Sequence, residues 1–314
     1  MSGNRKAQSA VEYLSTYGWV FLVLSLVIAV LWYLGVFSQA AFTIRAQPGS
    51  CQVLRPGGTL STQFVSLQGV CNNQVPEYVS TFVGSNSYFD IEQNISLSGN
   101  AVSITAWIKI TTTTTGFNRG NILSVKGEHY CGAGLGIWIN NGQGNPPGSG
   151  PVQAANFWVD EKNSPRTETR VFSLANTIQL NKWYFIAGTY NGTKLVIYIN
   201  GVLMNSSKAT SGSDATNSIA ACTSTSSLGS SSHYNQNYLP GSISNVQLYA
   251  TTLTNGEITE LYQEGIGGDP TSLLTLLGWW PINGNDNDYS GNGYNGGPTN
   301  VIFTSIWTNG YSVP

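Results

Sequence analysis

Hydrophobic and polar positions fall into two regimes along this chain. In the first, charge disappears after Glu12 and returns only at Arg45, and Trp19 to Phe37 is mostly Val, Leu, Ile and aromatic. An apolar run of that length predicts a helix that can span a bilayer. Over roughly 30 residues it would rise about 45 Å, enough also for the core of a filament. In the second regime the period falls to two. Val102 to Ile110 alternates strictly, and Gly134 to Asn140 and Asn156 to Asp160 repeat the habit, which predicts half-buried strands. Trp183 to Tyr190 and Lys194 to Ile199 are joined by Asn191-Gly192, and a second Asn-Gly stands at Asn200-Gly201, as tight hairpin turns require. Gly241 to Tyr249 is a further alternating strand. One helix interrupts the strands: Thr254-Asn255-Gly256-Glu257 reads as a capping box ahead of Ile258, Leu261 and Tyr262, with Gly265 to Pro270 as its stop.

The stretches between are turn chemistry. Phe42 to Pro76, with Pro48-Gly49 and Pro56-Gly57-Gly58, reads as a short β-rich connector, and Gly142 to Pro151 reads as a surface loop. Ser206 to Ser232 is rich in Ser and Thr and is expected to be a long exposed loop. Only 9% of the 314 residues are charged, against about 25% in ordinary soluble domains, so polarity here comes from Ser, Thr, Asn, Gln and Gly. Aromatic residues make up 11%, too many for a disordered chain. A net charge of −2, or −4 once Arg5 and Lys6 are subtracted, offers no basic face for nucleic acid.

Beyond the apolar helix lie four cysteines, Cys51, Cys71, Cys131 and Cys222. If that part of the chain is outside the cytoplasm they read as disulfides, with Cys51–Cys71 and Cys131–Cys222 the favoured pairing of the three that are open. Their spacing is not that of a zinc or redox site. Asn94, Asn191 and Asn205 each begin an N-glycosylation acceptor triplet.

Lys6-Ala7-Gln8-Ser9-Ala10-Val11-Glu12-Tyr13-Leu14 resembles the class III signal peptide of archaeal type IV pilin-like proteins. The resemblance implies that a membrane prepilin peptidase cuts between Ala7 and Gln8, removing residues 1–7 and leaving residues 8–41 as a transmembrane or filament-core helix. Glu12 of one subunit would then pair with the new amine of Gln8 on an identical neighbour, which satisfies a carboxylate otherwise stranded among apolar side chains. Two other readings stay open. Arg5 and Lys6 suit an uncleaved anchor with its start in the cytoplasm, and Ser38-Gln39-Ala40 suits a secretory cut after Ala40, although the apolar run is long for that class.

A second resemblance covers Glu77 to Gly268. Phe82 to Phe89, Ser103-Ile104-Thr105-Ala106-Trp107-Ile108, Asn181 to Ala187, Leu195 to Gly201 and Gly241 to Tyr249, followed by the capped helix, resemble a laminin G-like, concanavalin A-like lectin module. The implied fold is mainly β, a jelly-roll sandwich of two antiparallel sheets over residues 77–314. One departure concerns Trp279 to Gly293, which resembles the opening segment of such modules yet comes last in this chain. Segment 278–305 is therefore expected to complete the sandwich by circular permutation, in cis or in a neighbouring copy, because an edge strand left open invites aggregation.

Candidate chemistry is sparse. Asp90 with Glu92 has the spacing of carboxylates on one strand face, whereas Asp160 and Glu161 point to opposite faces, and neither makes a strong case for a glycan hydrolase. Asp286, Asp288 and Asn292 lie in an oxygen-rich loop that suits Ca2+, or else close side-chain turns onto the backbone. Trp138, Trp158 and Tyr234 are candidates to stack on sugars, and the two tryptophans could equally be core. The reading that joins these features is a non-enzymatic surface filament subunit displaying a lectin-like domain for adhesion to glycans or other cells. The alternative is a monomeric membrane-anchored lectin-like protein on the cell surface. Mass spectrometry is expected to find the mature N-terminus at Gln8, and Glu12→Ala is expected to permit cleavage but to lower filament yield severely. Surface protein that retains Met1 to Ala7, or normal filaments from Glu12→Ala, would contradict the pilin reading.

Overall fold

The computed structural model describes residues 17–20, 22–30, 76, 78–82, 86–97, 99–113, 119–125, 131–139, 151–162, 167–209, 217–221, 225–231 and 237–305. The chain divides into two units, the smaller comprising Met1–Ala46 and Arg55–Ser66 and the larger the remainder. In the smaller unit, residues 17–20 and 22–30 are helical and carry exposed Trp19, Leu22, Leu24 and Leu26. No helix among the described residues is long and apolar enough to cross a membrane. The cleavage site Ala7–Gln8, Glu12 and nearly all of the 42–76 connector lie outside the described residues.

The larger unit is an antiparallel sandwich. Its strands in chain order are β1 (Tyr78–Phe82), β2 (Tyr88–Ile91), β3 (Val102–Ile110), β4 (Arg119–Val125), β5 (Ala133–Trp138), β6 (Ala154–Glu161), β7 (Thr167–Phe172), β8 (Trp183–Tyr190), β9 (Lys194–Ile199), β10 (Val202–Lys208), β11 (Ser226–Leu228), β12 (Gly241–Tyr249), β13 (Leu276–Trp280), β14 (Gly296–Thr299) and β15 (Val301–Ser305). Helix α1 (Asn255–Glu264) follows β12. An eight-stranded sheet runs β10-β9-β8-β3-β12-β1-β15, with β13 also on β12, and a seven-stranded sheet runs β14-β2-β11-β4-β5-β6-β7.

Period-two alternation builds the core between them. Ile104, Ala106, Ile108, Ile186, Ile197, Ile243 and Leu248 of the eight-stranded sheet meet Phe89, Ile91, Leu123, Leu135, Ile137, Phe157 and Val159 of the seven-stranded sheet in one buried cluster. Gly188 belongs to this packing, because a Cβ there would lie 2.3 Å from the Phe157 ring. The hairpin turn at Asn200-Gly201 has φ of +51° and +76°, the two left-handed positions that Asn and Gly tolerate.

The capping box at α1 forms as its residues require: Thr254 Oγ1 accepts from the Glu257 amide at 3.3 Å, and the Thr254 amide donates to Glu257 Oε2 at 2.7 Å. The helix lays Ile258, Leu261 and Tyr262 against the outer side of the eight-stranded sheet, where Trp107 stacks on Tyr262 at 5.9 Å.

Ser206 to Ser232 is not one long loop. Ser206 to Lys208 belongs to β10, and Ser226–Leu228 is β11, an interior strand between β2 and β4. Serine is a poor strand former by propensity, but Ser226 and Ser227 are buried at 1% exposure, Ser227 with ladder partners on both sides and Ser226 with Ile91 of β2, so tertiary pairing overrides the local preference.

Each strand of the tail pairs with an earlier strand of the same chain. β13 lies against β12 with Trp280 opposite Val246, β14 against β2, and β15 against β1 along its whole length. A shift in the β12 ladder between Ser244 and Gln247 separates the part of β12 that pairs β1 from the part that pairs β13. Trp280 and Ile282 are fully buried, whereas Trp279, Val301 and Phe303 are half-buried. A buried polar chain fixes the register. Tyr249 Oη donates to Gln247 Oε1 at 2.6 Å, Gln247 Nε2 to Asn245 Oδ1 at 3.0 Å, Trp279 Nε1 to the same Oδ1 at 2.9 Å, and Asn245 Nδ2 to the Gly268 carbonyl at 2.7 Å.

Trp280→Ala is expected to cost the fold about 3–5 kcal/mol, since it removes the largest fully buried side chain and leaves its cavity. Denaturant titration of the purified protein checks this, and a loss below about 1 kcal/mol would mean that the tail contributes little to the core.

Candidate functional site

The outward side of the seven-stranded sheet carries most of the unusual chemistry. Ladder register places Arg119 beside Trp138 and Ala154, Asn121 beside Gly136, Asn156 and Phe172, and Ser124 beside Gly134, Trp158 and Arg170. Farther along, Asp160 is opposite Glu168. Alternation sends all of these side chains away from the core, because their neighbours Leu123, Leu135, Ile137, Phe157 and Val159 fill it.

Glycine in the middle of a strand weakens it unless something else needs the space. Two such needs occur in β5. A Cβ on Gly134 would lie 2.1 Å from the Trp158 ring, so that indole lies flat on bare backbone. A Cβ on Gly136 would lie 2.9 Å from the Gly120 carbonyl oxygen, 3.2 Å from Asn156 Oδ1 and 3.3 Å from Asn121 Oδ1. The space over Gly136 is thus taken by the Gly120 carbonyl and the two carboxamide oxygens, which pack directly on its backbone. Neither carboxamide has a protein hydrogen bond among the described residues, although Asn121 is only 6% and Asn156 only 2% exposed.

Aromatic rings and cations flank these carboxamides. The Arg119 guanidinium lies over the Trp138 ring at 5.5 Å and that of Arg170 over Trp158 at 5.3 Å, cation–π contacts that hold both heads in place. Phe172 meets Trp138 edge-on. Arg170 pairs with Glu168, while Arg119 Nε donates to Asn237 Oδ1 at 3.2 Å. Burial first, and then Arg170, hold the Arg119 guanidinium below its ordinary pKa, with Glu168 opposing them. Trp138 Nε1, Trp158 Nε1 and Ser124 Oγ are buried polar atoms with no hydrogen-bond partner. Such atoms are uncommon in folded proteins and point to a missing ligand or water.

Trp138 and Trp158 are thus brought onto one face, but as walls beneath guanidinium groups rather than as open platforms. Tyr234 lies outside the described residues. Asp90 shares this outward side, three strands from Gly134 through Ser227 and Ser124. Burial, and then the neighbouring Glu92, push its carboxyl above the ordinary range. Asp160 and Glu161 take opposite sides of β6, with Glu161 accepting from Thr169 Oγ1 at 2.8 Å.

In the C-terminal loop, Asp288 Oδ1 accepts from the Trp279 and Ser290 amides, both at 2.9 Å, and Oδ2 from Ser290 Oγ at 2.8 Å and the Tyr294 amide at 3.0 Å. Asn292 turns its Nδ2 toward the Leu277 carbonyl at 3.0 Å. Asp286 is half-buried, and desolvation raises its carboxyl pKa. Asp288 is spent mostly on backbone donors and Asn292 donates, while Asp286 Oδ2 is buried without a partner, and no group of three or more His, Cys, Asp or Glu that could hold a metal occurs among the described residues.

Cys131 is buried and disulfide-bonded, whereas Cys51, Cys71 and Cys222 lie outside the described residues. The amide of Gly132 donates to Ala220 at 2.8 Å, two residues before Cys222. Asn94, Asn191 and Asn205 are all exposed. Asn191 Oδ1 accepts from the Thr193 amide at 3.0 Å and from Thr193 Oγ1 at 2.9 Å, and Asn205 Nδ2 donates to the Phe172 carbonyl at 2.9 Å.

Arg119, Asn121, Ser124, Gly134, Gly136, Asn156 and Arg170 were not among the residues expected from sequence. The available signal was the spacing Gly134-x-Gly136-x-Trp138 beside Asn156-x-Trp158, which puts bare backbone and large rings on one side of adjacent strands.

Residues 83–259, more than half of the chain, match the family profile Laminin_G_3, described as the concanavalin A-like lectin/glucanases superfamily. No curated protein matches. Among solved structures, the chain is similar to a protein from Bacteroides ovatus designated carbohydrate-binding, at 14% identity and a TM-score of 0.53 over 80% of this chain and 68% of that one. It is also similar to a native heptameric SAP-like pentraxin from Limulus polyphemus, at 14% identity and a TM-score of 0.50 over 73% of this chain and 95% of that one. At such identities the likeness is one of fold.

Proposed function

This chain belongs to the concanavalin A-like lectin/glucanases superfamily, and from that premise we propose that its sandwich is a carbohydrate-binding module whose ligand is held on the outward side of the seven-stranded sheet by Asn121 and Asn156. The observation that carries the reading is the polar groups gathered on that side, the Asn121 and Asn156 carboxamides packed over Gly136 with no protein hydrogen bond among the described residues, beside two buried indole N–H groups. A sugar offers vicinal hydroxyls that both donate and accept, which matches a carboxamide pair and the buried indole N–H groups of Trp138 and Trp158. The designation of the Bacteroides ovatus protein as carbohydrate-binding supports the same reading. The role proposed is binding without catalysis.

The biological setting is part of the proposal. The module would be carried outside the cytoplasm by the apolar N-terminal segment, cut by a prepilin peptidase between Ala7 and Gln8 and assembled with identical subunits through Glu12. The charge-free stretch from Tyr13 to Ile44 and the helical residues 17–20 and 22–30 support an apolar helical stalk. A single anchored copy in the membrane is the alternative. Placing the tail strands on β1, β2 and β12 is in keeping with a circularly permuted jelly roll, and the contact of Gly132 with Ala220 supports a Cys131–Cys222 bridge. The exposed triplets at Asn94, Asn191 and Asn205 would carry glycans on such a surface.

Calorimetric titration of the full-length protein with a panel of neutral and acidic oligosaccharides tests the binding role. At least one sugar is expected to bind, with Asn156→Ala weakening it on the order of tenfold, the size of one or two lost hydrogen bonds. Lys194→Ala, on the eight-stranded sheet, is expected to bind as the wild type does. Failure of the whole panel, or unchanged affinity in Asn156→Ala, would overturn the assignment of this face.

A further inference from the structure

Resting on the reading of this face as a sugar site, we propose that it selects sugars bearing a carboxylate and that Arg119 receives that group. Arg119 stands at one end of the outward face, in register with Trp138 and Ala154 and one step from the row of Asn121, Gly136 and Asn156. Its head is held from two directions. The ring of Trp138 lies beneath it, and Nε donates to Asn237 Oδ1 at 3.2 Å. Asn237 is itself tied to β4, since its carbonyl accepts from the Asn121 amide at 2.9 Å. The guanidinium is therefore positioned before any ligand arrives, and little freedom is left to lose on binding.

Its surroundings differ from those of the other cation on this face. Arg170 has the Glu168 carboxylate as partner. The hydrogen-bond partner of Arg119 is a neutral carboxamide, and Arg170 adds a second positive charge nearby. Among the described residues the anions of the face are Asp90, Asp160 and Glu168; Glu168 also reaches Arg119 electrostatically but is already paired with Arg170, so two guanidinium groups share one carboxylate there. A half-buried guanidinium with a neutral partner presents its two terminal nitrogens as a fork, and a planar carboxylate is the anion that this fork matches with two parallel hydrogen bonds. The nearby carboxamides of Asn121 and Asn156 are suited to ring hydroxyls, so that one uronic acid unit would span both features. The carboxylate of the sugar would add a second anion to a pair of guanidinium groups that share Glu168.

The probe is a set of uronic acid oligosaccharides, namely oligogalacturonate and oligoglucuronate, each beside its methyl ester, which keeps the hydroxyls and removes the charge. Calorimetry on the full-length protein is expected to give an acid-to-ester affinity ratio on the order of tenfold or more at low salt, falling as salt rises. R119Q is expected to bring that ratio to about one, and R119K, a point charge without the fork, to leave it in between. Thermal melting of both variants within a few degrees of the wild type would exclude loss of fold as the cause. Equal binding of acid and ester, or a ratio unchanged in R119Q, would overturn the carboxylate preference while leaving the sugar site standing. Binding of neither form, in a protein that also fails the neutral panel, would overturn both.

Discussion

The sandwich depends on its last thirty residues closing what its first strands leave open. β1 and β2 are consecutive in the chain yet enter different sheets, and each has one flank that only the tail covers, β15 on one and β14 on the other. Between them the tail drives Trp280 into the core and donates the Trp279 indole to Asn245. Backbone pairing and apolar burial act on the same segment, so neither sheet is complete until the chain's end has docked. Contacts this distant along the chain carry a loop-closure cost in folding.

In the seven-stranded sheet the tail closes one flank, β14 on β2, while β7 remains the other edge. Its middle strands β4, β5 and β6 spend residues on something other than packing. Gly134 and Gly136 forgo side chains, Asn121 and Asn156 keep their carboxamides out of the protein's own hydrogen bonds among the described residues, and two indole N–H groups are buried without acceptors. Each choice costs stability, which folded proteins generally hold in small surplus. Their concentration on one face is the reason for reading it as functional, since departures from local consistency gather where a protein does its work.

Strands with regular alternation were legible from sequence. Val102–Ile110, Trp183–Tyr190, Lys194–Ile199 and Gly241–Tyr249 have the predicted bounds, and Thr254 caps α1 as its motif implies. β11 was not legible, because Ser226 and Ser227 become a strand only through their neighbours β2 and β4. β7 was missed for a related reason: Thr167–Phe172 is charged and half-buried, and its pairing with β6 rather than its pattern defines it. Of the site, Trp138 and Trp158 could be named but their surroundings could not. The guanidinium groups above them come from β4 and β7, and cross-strand register cannot be read from a linear sequence. The two roles open to the Asp286 to Asn292 loop could not be told apart in the sequence, since carboxylates that cap backbone donors and carboxylates that hold Ca2+ have the same spelling.

The central claim, that sugar binds on the outward side of the seven-stranded sheet, is tested most directly by nuclear magnetic resonance of the tryptophan indole N–H groups. Trp138, Trp158 and Trp107 each have a buried indole nitrogen without a partner, but Trp107 lies on the other sheet beneath α1. Titration with a binding oligosaccharide is predicted to shift the Trp138 and Trp158 signals, assigned by substitution with Phe, and to leave that of Trp107 in place. A binding sugar that moved Trp107 or neither of the other two would contradict the account.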